Sequence, residues 1–207
     1  MNTAELKQAR WVTVKKVLFW ATVPVLVVIF LTWRWYDARY PSWEEEVRLS
    51  DGRVITIKQK HDYIKNYGTR QSWVTFSLPE MGGKQTWRSY LIPMVIDVAD
   101  GKVYAIGAPR GPSNYNIYDS PRYFLVAFEW NNGFQRIPFL SVPPALRETA
   151  NVLRCLPPLS HRPVTIADKA KQWCDPVFSD LDARVIDERR FKTLSDKYAG
   201  NGSRRSE

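Results

Sequence analysis

Few residues of this 207-residue chain have types and spacings that suggest chemistry. Its only two cysteines, Cys155 and Cys174, enclose a proline-rich stretch, Leu156–Pro163, that contains His161. Three readings compete. In an oxidising compartment a bridge closing this loop would stabilise the fold by about 3 kcal/mol through restriction of the unfolded chain. As a metal site, Cys155, His161 and Cys174 supply three soft ligands at a spacing that matches no finger or ribbon, and a carboxylate or water would have to complete the set. Unpaired thiols are the third reading. The disulfide is the expectation, because it agrees with the topology argued below; neither a metal nor another cofactor is expected.

The acid–base candidates are equally thin. His61 sits beside Asp62 in a polar stretch, where a histidine is expected to be a surface residue rather than a general base. Glu44, Glu45 and Glu46 form the densest acidic run, which reads as a solvated face before it reads as a carboxylate pair. Gly82-Gly83-Lys84-Gln85-Thr86 has Gln85 where a phosphate loop needs Ser or Thr, and reads as a hairpin turn. No Gly-x-Ser-x-Gly, His-Glu-x-x-His or Gly-x-Gly-x-x-Gly motif occurs. The most suggestive stretch is Arg110–Pro121. It is long for a hairpin connection, and Arg110, Asn114, Tyr115, Asn116 and Tyr118 are residue types that make adaptable contact surfaces. These five are the expected partner-contact residues, against the alternative that the segment only crosses between sheets.

The elements that would position these residues are mostly strands. Trp43–Leu49 and Arg53–Lys60 flank Ser50-Asp51-Gly52, Ser72–Leu78 precedes a Pro-Gly turn, and Thr86–Val98 and Lys102–Ala108 flank Asp100-Gly101. Arg122–Trp130 and Phe134–Phe139 flank Asn132-Gly133. In the first hairpin, a three-residue loop with Gly52 left-handed pairs Val47 with Ile55 and Glu45 with Ile57. That register puts Trp43, Val47, Leu49, Ile55 and Ile57 on one face and Glu44, Glu46 and Arg48 on the other. The β-rich region, 37–142, is expected to be one antiparallel sheet curled into a small sandwich or partial barrel. Short helices are expected over 143–198, one spanning Ala145–Arg154 and one capped by Thr165 and Asp168, and 199–207 reads as a disordered tail.

Ahead of the β-region the chain reads VLFWATVPVLVVIFLTW from Val17 to Trp33 without a charge, flanked by Lys15, Lys16, Arg34, Trp35 and Tyr36. This is the pattern of an uncleaved signal-anchor helix over 17–36, following a basic tail over 1–16. Basic residues Lys7, Arg10, Lys15 and Lys16 outnumber those just after the run, which keeps the N-terminus cytoplasmic and exports the remainder. Residues 1–36 hold a surplus of four of the +9 net charge and the remaining five are spread over 37–207, so the excess does not form the basic stripe of a nucleic-acid binder. The expectation is a non-catalytic interaction or assembly protein of the bacterial cell envelope, held in the inner membrane and meeting an unidentified protein partner. The architecture is shared by many envelope proteins, which is an analogy only. Two alternatives stand beside it: a tethered enzyme whose site forms only in space, and a binder of an anionic surface or nucleic acid.

Overall fold

A computed structural model describes residues 22–64, 68–121, 123–148, 150–157, 163–170, 193 and 196. Its contacts divide after Arg39 into an N-terminal unit and a body that begins at Tyr40. In the first unit residues 22–39 are helical (α1). Among the described residues no helix is long and apolar enough to cross a membrane. Of the expected span, 17–36, the structure describes residues 22–36. The described apolar part, 22–33, rises only about 18 Å before Arg34, Asp37 and Arg39 intervene, against a hydrocarbon core of about 30 Å. Residues 17–21 of the run lie outside the described residues.

The body is β-rich, with two antiparallel four-stranded sheets and few helices. The first is a meander of β1 (Ser42–Arg48), β2 (Val54–Ile64), β3 (Gly68–Leu78) and β4 (Gly83–Ser89). The second contains β5 (Leu91–Ala99), β6 (Lys102–Pro109), β7 (Val126–Trp130) and β8 (Phe134–Ile137). Between β6 and β7 lies a short helix, α2 (Pro112–Ile117), and α3 (Ile166–Lys169) follows the sheets.

The first hairpin adopts the three-residue loop: Val47 pairs with Ile55 and Glu45 with Ile57, and Gly52 has φ +89°, a conformation that costs glycine little. The stretch expected as a single strand, Thr86–Val98, breaks at Tyr90, so β4 and β5 belong to different sheets. Pro93 lies beside a register shift in β5, where its missing N–H removes a ladder bond. Opposite it, Gly107 admits the β5 backbone closely; a Cβ there would sit 2.9 Å from the Ile92 carbonyl oxygen.

The inner faces meet over a core of Val47, Ile57, Val74, Phe76, Trp87, Ile96 and Val126 among others. Trp87 packs edge-on against Phe128, ring centroids 5.5 Å apart. A one-sided sheet would alternate buried and exposed residues, yet β5 is buried along Leu91–Val98. The reason is a second core, in which Tyr115, Phe124, Phe139 and Leu146 pack with Met94 and Ile106 of this sheet.

The helix expected over Ala145–Arg154 is shorter: only Pro144–Arg147 turns, as a 3₁₀ segment. The Asn151 and Val152 amides instead donate to the Met94 carbonyl, both at 3.1 Å, which draws the chain off the helical path. Thr165 and Asp168 form a reciprocal cap at the start of α3. Residues 171–192 of the expected helical region and the tail over 199–207 fall outside the described residues.

The register makes a sharp prediction for β2. Ile57 is fully buried and its neighbour Thr56 exposed. Ile57→Ala should lower the unfolding free energy by about 2–5 kcal/mol in a urea titration, and Thr56→Ala should change it by less than about 0.5 kcal/mol. Equal effects would mean that the strand faces are misassigned.

Candidate functional site

β2 carries two kinds of inward residue. Ile55 and Ile57 face the apolar core, and the next two positions of the same parity are Gln59 and His61. All of Glu45, Gln59 and His61 are at most 1% exposed, so each must find its hydrogen bonds inside the protein. The Glu45 carboxylate pairs with Lys169 and accepts from the Leu153 amide at 3.0 Å and from Gln59 Nε2. Gln59 Nε2 also donates to the Leu153 carbonyl at 2.8 Å. On its other side, Gln59 Oε1 lies 2.7 Å from His61 Nε2, and His61 Nδ1 lies 2.9 Å from Thr69 Oγ1. The ring of Trp43 covers His61 at 4.8 Å between centroids.

Burial drives the His61 pKa down to about 3, so the imidazole is neutral at physiological pH. Burial also pulls the Lys169 pKa down, against the opposing pull of Glu45. His61 is thus not a surface residue. The expected strand stopped at Lys60, but β2 runs on to Ile64 and carries His61 to the inner face. A parity count over 55, 57, 59 and 61 would have placed it; polar inward residues hide that alternation from a search for apolar ones.

At its outer end this chain reaches a groove of about 650 Å³ where β3 and β4 meet the β6–α2 connection. Its walls include Thr69, Arg70, Arg88, Tyr90, Arg110 and Asn114. Arg70 Nε donates to the buried Asp62 carboxylate at 2.7 Å. Arg88 lies over the Trp73 ring, 5.9 Å from its centroid. The Gln71 amide, with its carbonyl oxygen turned toward that guanidinium, accepts from Arg88 Nε at 2.8 Å and from Nη2 at 3.2 Å. These contacts hold the Arg70 and Arg88 guanidinium groups in fixed directions, which is what recognition of an anion requires.

The five expected contact residues divide. Arg110 and Asn114 line the groove. Asn114 also ties its two sides together, donating to the Tyr90 carbonyl at 2.7 Å and to the Arg70 carbonyl at 3.4 Å. Asn116 is exposed. Tyr115 and Tyr118 do not serve as an open contact surface. Tyr115 is 2% exposed and stacks on Phe124, and Tyr118 packs edge-on against Phe128 while its hydroxyl accepts from the Tyr90 amide at 2.9 Å. The physical reason is that 112–117 forms α2, which turns both rings toward the body. Thr69, Arg70 and Arg88 escaped sequence reading because nothing local distinguishes them from other polar strand residues.

The acidic row also divides. Glu44 is exposed opposite Lys58, Glu46 accepts from the Ile166 amide at 3.1 Å, and Glu45 points inward. The structure does not gather these carboxylates and His61 at one surface. Cys155 packs beside Trp43, Leu153 and Val164. Cys174 and His161 lie outside the described residues, so the bridge and its metal rival both fall there. Comparison with protein-family profiles, with curated proteins and with solved structures gives no match to this chain.

The pH dependence of stability follows from His61. Between its folded value of about 3 and an unfolded value near 6.5, the unfolded chain binds a proton that the folded chain does not. Stability therefore falls as pH drops through this window, by roughly 1.4 kcal/mol per pH unit at most. Urea unfolding at pH 6.5, 5.5 and 4.5 should give a smaller slope for His61→Gln than for the wild type. An unchanged slope would remove His61 as its source.

Proposed function

We propose that this chain is a membrane-tethered, non-catalytic interaction or assembly protein of the bacterial cell envelope, and that the groove receives an anionic segment of a protein partner. The single observation that carries the reading is the convergence of Arg70, Arg88 and Arg110 on one groove with no carboxylate among its described lining residues. Charge-assisted hydrogen bonds from fixed guanidinium groups are among the stronger polar contacts available to a surface site.

The tether rests on α1. Its large apolar side chains are exposed all round, Leu26 at 63%, Phe30 at 57% and Trp35 at 66%, and a helix apolar on every side calls for an apolar environment. Thr32 satisfies its hydroxyl within the helix by donating to the Val28 carbonyl at 2.9 Å, as lipid would require. The basic leader favours a cytoplasmic N-terminus in the inner membrane and an exported body. In that compartment Cys155 and Cys174 form a bridge.

Crosslinking in native membranes, followed by affinity isolation of the full chain, tests the groove. The Arg88→Glu/Arg110→Glu double variant should recover the partner at about a tenth of the wild-type yield or less, because like charges now face each other. Lys84→Glu, at the opposite end of β4, should leave recovery unchanged. Equal recovery in all three proteins would overturn the groove assignment.

The bridge has its own check. Digestion of non-reduced protein from the native compartment should yield the Cys155 and Cys174 peptides joined. Two freely alkylated thiols would count against both the bridge and the exported location.

A further inference from the structure

The hydrogen-bond directions along the buried chain can be assigned one by one, and they end in the groove. Gln59 Nε2 faces two acceptors, Glu45 Oε1 and the Leu153 carbonyl, so both of its protons are used there. Gln59 Oε1 is then the acceptor toward His61, which fixes the proton of the neutral imidazole on Nε2. His61 Nδ1 has no proton left and must accept from the Thr69 hydroxyl. Thr69 Oγ1 therefore spends its only proton inward. Thr69 lines the groove, and its hydroxyl has only lone pairs left for a ligand, while the guanidinium groups of Arg70, Arg88 and Arg110 offer only N–H donors.

From this polarity we propose that the groove recognises the free C-terminal end of a peptide, with its carboxylate on the guanidinium groups and a terminal backbone N–H donating to Thr69 Oγ1. In an internal Asp or Glu the carboxylate is separated from the backbone N–H by rotatable side-chain bonds; at a chain terminus the carboxylate and the N–H are bonded to the same Cα. A free amino acid shares that chemistry, and the groove volume lies within the range of pockets that hold either. The inference rests on the groove being the contact site and adds which part of the partner enters it.

The test uses the full chain in detergent and fluorescence anisotropy with fluorescein-labelled tetra-alanine in three forms: the free acid, the C-terminal amide, and a depsipeptide whose last amide is replaced by an ester. The free acid should bind, the amide should bind at least tenfold more weakly, and the ester, which lacks the terminal N–H, about fivefold more weakly. Thr69→Val should weaken the free acid by a similar factor and leave the ester unaffected, while Thr69→Ser should restore the wild-type preference. The ester comparison needs no variant, so it decides the matter even if Thr69→Val is unstable. Alanine competing at the same concentration as unlabelled tetra-alanine would assign the site to a free amino acid and overturn the peptide proposal. Binding of an amidated Asp-containing peptide with no preference for a free terminus would overturn it too, and would leave the groove reading standing. No binding of any probe up to millimolar concentration, together with partner crosslinks that ignore Arg88→Glu/Arg110→Glu, would remove both.

Discussion

The organisation of the body depends on how one carboxylate is kept out of water. Glu45 is fully buried, and an ionised carboxylate in that position is tolerable only with a counter-charge and its lone pairs engaged. Lys169, the Leu153 amide and Gln59 meet that demand together. Two of the three come from the chain after the sheets, so the polar requirement of β1 dictates where Leu153 and Lys169 must lie. The Val164 amide donates to the Glu44 carbonyl at 2.8 Å and the Glu46 amide donates to the Val164 carbonyl at 2.9 Å, which covers part of an edge strand that would otherwise be open to pairing. Such a pair adds little stability over apolar residues of the same size, but removing one partner costs several kcal/mol, so its effect is to fix one arrangement.

The same demand divides β2 into an apolar half and a polar half. Ile55 and Ile57 contribute burial, at roughly 1.5–3 kcal/mol for each fully buried aliphatic side chain. Gln59 and His61 contribute direction instead. A chain of hydrogen bonds anchored at a carboxylate has one sense along its whole length, and Thr69 inherits that sense at the groove wall. A structural constraint at one end of the sheet thus sets the hydrogen-bond direction of the Thr69 hydroxyl at the other end.

The junction between the sheets is the second determinant of the groove. The chain changes sheet at Tyr90, and the neighbouring backbone groups are held by side chains of α2 and its C-terminal flank: Tyr118 receives the Tyr90 amide and Asn114 donates to the Tyr90 carbonyl. Asn151 performs a similar service elsewhere, donating to the carbonyls of Arg48 and Ile96, one from each sheet. The aromatic residues of 110–121 are therefore drawn into the fold, while Arg110 remains at the groove.

Local chemistry in the sequence determined the hairpins and much of the strand content, because Asp-Gly and Asn-Gly turns and two-residue alternation act over neighbouring positions. It determined the register of β1 on β2, since only a three-residue loop kept Val47, Leu49, Ile55 and Ile57 on one face. It also determined the Thr165–Asp168 cap, a contact three residues apart. Only the tertiary structure decided that Glu45 meets Lys169 and the Leu153 amide in the interior, that the stretch Thr86–Val98 is shared between two sheets, and that the Ala145–Arg154 stretch gives its amides to Met94 instead of to a helix. Each of these depends on a partner tens of residues away. A buried polar residue looks like a surface residue until its partner is known, and Lys169 stands 124 positions from Glu45.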